Sequence, residues 1–136
     1  EIPRMEGFFF EINQALSNTI MAIGANNLNF AIKYIKRLKA LIKPSGIFDE
    51  ITSEDKIMYG DRDKYIERQI LSRCDDIIKS LGQAKSGSKL DLKNILTHIS
   101  SLVFSINKYY MYAKTKVEFA GSYKPAFDVF DKEGVE

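Results

Sequence analysis

Apolar residues recur at intervals of three and four along most of this chain, and that spacing dictates what it can fold into. Phe9, Ile12, Leu16, Ile20 and Ile23 open the series, and Leu28, Ala31, Ile32, Ile35, Leu38 and Ile42 continue it. A third set runs through Ile66, Ile70, Cys74, Ile77, Ile78 and Leu81. The fourth and most regular comprises Leu92, Ile95, Leu96, Ile99, Leu102, Val103, Ile106, Tyr110, Ala113 and Val117. A helix turns 100° per residue, so each set lies along one side of a helix and must be covered by another. The expected fold is all-α, an antiparallel helical bundle, because short polar connections make consecutive helices neighbours.

The breaks set the number of helices. Pro44-Ser45-Gly46 stops the second set, since proline disfavours helical geometry before it. Residues 47–53 read as a connector, with Ile47, Phe48 and Ile51 covering one end of the core and Thr52 or Ser53 capping the next helix. Gly60 interrupts that helix, so its regular part is expected from Asp61, and Gly82 is placed to end it. Gln83 to Gly87 is a polar loop, Ser88 with Asp91 resembles a capping box, and Gly121 closes the last helix. Gly24-Ala25-Asn26-Asn27 can be a tight hairpin or a kink, because the stripes on either side differ by only about 80°. Length favours the kink. Helices over 54–82 and 88–119 measure about 44 and 48 Å, and an unbroken 8–43 helix would match them at about 54 Å. Three long helices are therefore expected, or four if the first is broken at Gly24.

Around this bundle domain (8–121) the sequence suggests a flexible N-terminal segment (1–7) and an acidic-aromatic tail (122–136). The opening Glu1-Ile2-Pro3-Arg4-Met5 suggests a trimmed initiator or a start at Met5.

Composition narrows the function classes. The 136 residues suit one domain, and 45% hydrophobic with 28% charged residues suits a globular one. The formal charge of +2 demands neither nucleic acid nor a membrane. Residues Ile12 to Ile32 carry no charge over 21 positions, the length of a bilayer span, but eight of them are polar. Each amide would need a partner in hydrocarbon, so an amphipathic core helix is expected and no membrane partner. The single cysteine, Cys74, forms no internal disulfide and suits a reducing, cytoplasmic compartment. Isoleucine outnumbers leucine 17 to 10 and lysine outnumbers arginine 15 to 5, pointing to an AT-rich coding bias.

Catalytic and cofactor motifs are missing. His98 is the only histidine, on the flank of the last apolar stripe, and reads as a core-edge residue. Cys74 lies mid-stripe, where desolvation suppresses thiol reactivity, so a Cys74–His98 dyad is not expected. Zinc needs four Cys or His ligands, and a di-iron bundle needs Glu-x-x-His, where Ile95 stands here. Asp61-Arg62-Asp63 begins like a calcium loop but continues with Tyr65 and Ile66 at a ligand and the glycine position. No phosphate-binding glycine motif occurs, and Lys85-Ser86-Gly87-Ser88 reads as a plain connector. The expectation is no enzyme, no cofactor, no metal and no small-molecule substrate.

Interaction remains. Lys33, Lys36, Arg37, Lys39 and Lys43 fall opposite the apolar stripe of their helix, with no acid between Ile12 and Phe48. That face could meet phosphates or an acidic protein surface, making a nucleic-acid-binding accessory protein the alternative reading. Phe8, Phe9 and Phe10 are consecutive, and Tyr109, Tyr110 and Tyr112 cluster. Such groups cannot all face one core. The leading expectation is a non-enzymatic protein–protein interaction module, a homodimer that also engages an unidentified protein. Its contact surface would comprise Phe8, Phe10, Tyr109 and Tyr112, the basic residues Lys33, Lys36, Arg37 and Lys43, and the tail residues Tyr123, Phe127 and Phe130.

Overall fold

The computed structural model describes residues 2–42 and 62–119, with side chains over 6–42 and 64–114. Four helices make up the order α1 (Ile2–Gly24), α2 (Leu28–Ile42), α3 (Arg62–Lys85) and α4 (Leu92–Phe119), with no strand among the described residues. The all-α bundle is as the periodicity dictates, and the described residues hold four helices: the first tract is broken after Gly24, the second of the two arrangements the sequence allowed.

Two asparagines divide the first apolar tract. Asn26 takes a left-handed φ of 56°, and its N–H donates to the Ile23 carbonyl at 3.0 Å. The Asn27 N–H reaches back to Ala22 at 2.8 Å, so the last carbonyls of α1 are satisfied and the chain is turned out of the helix. Asn27 then starts α2: its side-chain Oδ1 accepts the Phe30 N–H at 3.3 Å and its carbonyl accepts from Ala31 at 3.0 Å. One residue thus ends one helix and caps the next. The uncharged stretch from Ile12 to Ile32 is folded into a hairpin, and among the described residues no helix is long and apolar enough to cross a membrane.

The α3–α4 connection uses the same devices one turn later than the sequence suggests. The helix runs through Gly82 to Lys85, and Gly87, at φ 113°, ends it. Its N–H donates to Ala84 at 3.2 Å while Ser88 donates to Gln83 at 3.1 Å. Asp91, not Ser88, caps α4, its Oδ1 accepting the Asn94 N–H at 3.1 Å. At the N-terminus α1 takes in residues 2–7, set apart above as a separate segment. The connector within 43–61 and the chain from residue 120 lie outside the described residues. That includes the stops at Pro44 and Gly121, the caps at Thr52 and Ser53, and the tail.

The helices run up, down, up, down, each against its chain neighbour. Ile12, Ala31, Ile35, Leu38, Ile42, Ile70, Cys74, Ile77, Leu81, Ile95 and Leu102 are all fully buried and form the centre. Each such isoleucine or leucine contributes about 1.5–3 kcal/mol relative to exposure. Thr19 lies in this core without cost, because its hydroxyl donates to the Ala15 carbonyl at 2.8 Å. Contacts are extensive for α1 with α2, α2 with α3 and α3 with α4; α1 meets α4 much more narrowly.

Candidate functional site

The chemically versatile side chains are arranged for packing. Cys74 is buried, and burial, with the Asp75 carboxylate adding and Lys39 opposing, pushes its thiol up to about 12. His98 is 20% exposed and lies 3.8 Å from Asp76, with no described hydrogen bond from a serine or cysteine. Among the described residues no three His, Cys, Asp or Glu side chains gather as metal ligands would.

The aromatic groups divide differently from the sequence expectation. Tyr109 and Tyr112, expected at the surface, are 0% and 1% exposed. They stand three apart on α4 and so share its inward side, where the Tyr109 hydroxyl donates to Glu67. Their place in a contact surface is therefore corrected: they are core residues. Phe8 is half-buried edge-on against Phe9, whereas Phe10 stands out at 68% exposed. Phe9 in turn meets Tyr110 at 4.9 Å and Tyr109 at 5.5 Å, joining the start of α1 to the second half of α4. Tyr123, Phe127 and Phe130 lie outside the described residues.

The basic side of α2 is exposed at Lys33, Lys36 and Arg37, with Lys43 outside the described residues. Arg37 is engaged by Glu11 at 3.1 Å and the neighbouring Lys39 by Asp75 at 2.6 Å. Lys33 lies 5.7 Å from the centre of the Phe30 ring, which stacks on Tyr34.

Two surfaces were missed by the sequence reading. The first is the edge between α1 and α4. Tyr110 donates to Glu6 at 2.8 Å, fixing the antiparallel register. Fourteen residues onward from Glu6 and fourteen back from Tyr110 stand Ile20 and Leu96, level with each other, with Leu92 one turn further. These three are 41%, 55% and 52% exposed, because α1 and α4 do not close over them. The sequence signal was Leu96 itself, which stands 100° round the helix from Ile95 and so lies at the edge of the apolar stripe rather than at its centre.

The second is an outward groove of about 570 Å³ between α3 and α4, which includes Tyr65, Arg68, Gln69, Phe104, Ser105 and Lys108. Its signal was the polar face of α3 meeting a helix that holds only basic charges from Leu92 to Val117.

Comparison with protein-family models, with curated proteins and with solved structures finds no match for this chain.

Proposed function

We propose that this chain is a non-enzymatic protein–protein interaction module that self-associates as a homodimer through the open α1–α4 edge. The observation that carries this reading is the pair Ile20 and Leu96, level with each other on helices that do not cover them, extended by Leu92. Exposed apolar side chains grouped at one level of the bundle are what association removes from water.

Charge selects a second copy as the occupant. A twofold interface brings a surface against its own image, so a charged patch would repel itself. From Ile12 to Gly24 α1 holds no charged residue, and the Leu92–Leu96 strip of α4 adds only Lys93. The basic side of α2 would meet like charge if it paired with itself, and two of its cations already face carboxylates. Nucleic acid along α2 is weaker for the same reason: fewer cations are free for phosphates. Further protein partners would compete for the same α1–α4 edge. A reducing, cytoplasmic setting suits a lone buried thiol.

Size-exclusion chromatography with light scattering tests the reading. The protein at high micromolar concentration is expected to run at twice its chain mass. Ile20→Glu with Leu96→Glu is expected to give a monomer of unchanged helical content. A wild-type monomer at that concentration would refute the dimer.

A further inference from the structure

The outward groove between α3 and α4 is built by two matching spacings. Tyr65, Arg68, Gln69 and Ser72 rise along one side of α3, and Ser101, Phe104, Ser105 and Lys108 along one side of α4. The antiparallel register, marked by Asn94 donating to Ser80 at 3.4 Å, sets the two rows opposite each other. Serines leave space where longer side chains would fill it, and Ser105, at 7% exposed, lies deepest of the three in the α4 floor.

We infer that this groove binds a nucleotide unit, a phosphate joined to a planar base. Three independent features converge on that chemistry. First, the lining holds Arg68, Arg73 and Lys108 and no acidic residue. Arg73 is engaged by Asp76 at 3.3 Å, whereas Arg68 and Lys108 face no carboxylate among the described residues. Two cations in one concavity attract a phosphate. Second, the rings of Tyr65 and Phe104 stand 52% and 60% exposed in the lining, with the Lys108 ammonium 5.4 Å from the Phe104 centre. Exposed rings beside cations are how proteins hold single-stranded bases, by stacking on any π-face. Third, the Oε1 of Gln69 is buried in the same lining without a hydrogen-bond partner. A buried acceptor of this kind wants a donor, and a turn of the Gln69 side chain toward the groove would present it to the exocyclic amine of adenine or cytosine. An acidic peptide would answer the charge, and its N–H groups the acceptor, but its carboxylates offer no flat ring for Tyr65 and Phe104 to stack on. The groove lies on the other side of α4 from the Leu92–Leu96 strip, so it is independent of the dimer reading.

The test uses the full chain and a fluorescein-labelled single-stranded oligo-adenylate, followed by anisotropy at low and rising salt. Binding is expected at low salt. Arg68→Ala with Lys108→Ala should weaken it about tenfold or more and flatten the log–log salt dependence by roughly 1.4, two phosphate contacts at about 0.7 each. Tyr65→Ala or Phe104→Ala should weaken it roughly fivefold or more with the salt slope unchanged. Lys33→Glu with Lys36→Glu should change nothing. Adenosine monophosphate competing as well as the strand assigns the site to free nucleotides, and competition by the strand alone assigns it to single-stranded nucleic acid; each outcome supports the site. No binding at low salt, loss of binding through the α2 variant, or equal binding of heparin, a polyanion with no aromatic ring, with the aromatic variants unaffected would overturn it. The substituted side chains lie on the outside of the bundle, and unchanged circular dichroism verifies that each variant is folded.

Discussion

Cys74 shows how a single side chain is fixed by its place in an apolar row. Four residues after Ile70 and three before Ile77, it is carried into the centre, and its thiol proton is held to about 12 against an ordinary value of 9.0. Between those two values the unfolded chain has released a proton that the folded chain keeps. The unfolded state binds fewer protons there, so stability falls as pH rises through that window and is unaffected by this group below it. Urea midpoints of the wild type are expected to decline more steeply above about pH 9 than those of Cys74→Val, with parallel behaviour near neutrality. In native buffer the thiol should react with an aromatic disulfide reagent only as fast as the protein opens; modification on mixing would contradict its burial. The tyrosines show the limit of the same reasoning. A row drawn through Ile106, Tyr110 and Ala113 fits the spacing as well as one through Ile106, Tyr109 and Ala113. Only the partner helix, with Glu67 reached by the Tyr109 hydroxyl, decides the phase.

At the scale of the elements, helix ends were harder to read than helix bodies. All four bodies follow from the apolar rows, yet the ends depend on backbone states that residue types only bias. Gly82 and Gly87 make the point, since either could stop α3. The chain stays helical at Gly82, where an added Cβ would meet nothing within 4 Å, and turns at Gly87, whose φ is 113°. Gly82→Ala should therefore raise stability by about 0.5–1 kcal/mol through the lost freedom of the unfolded chain. Gly87→Ala should lower it by about 1 kcal/mol, because a side chain resists that backbone state even with open space around it. Chemical denaturation of the two variants reads both signs, and equal shifts would mean that Gly87 is not the terminator. Asn26 and Asn27 carried a comparable signal, a left-handed residue followed by a cap three before Phe30. Matched helix lengths outweighed it, although nothing physical requires bundle helices to be equally long.

For the molecule as a whole, the informative feature is uneven closure. Three neighbouring pairs of helices zip together along apolar rows, while α1 and α4 meet more narrowly, with a cluster of rings joining the start of α1 to the second half of α4. The sequence could show which residues are greasy, but not that α1 and α4 would meet so much less extensively than the other neighbouring pairs, because that depends on how the helices pack rather than on which residues each carries. Phe9 is the fastener. It is 3% exposed and touches Phe8, Tyr109 and Tyr110 edge-on, all with ring centres within 5.5 Å. Phe9→Ala removes those contacts and leaves a cavity, a loss of about 3–5 kcal/mol. If closure rests on this cluster, hydrogen exchange should accelerate most along residues 6–13 and around Tyr109–Tyr112. Amides of the α3–α4 hairpin near Ile77 and Ile99 should follow only the global stability. The same variant leaves Ile20, Leu92 and Leu96 unaltered, so the self-association proposed for that strip is expected to be unaffected wherever the chain remains folded. Uniform acceleration across all four helices would instead mean that α1 is held by α2 alone and that the ring cluster only fills space.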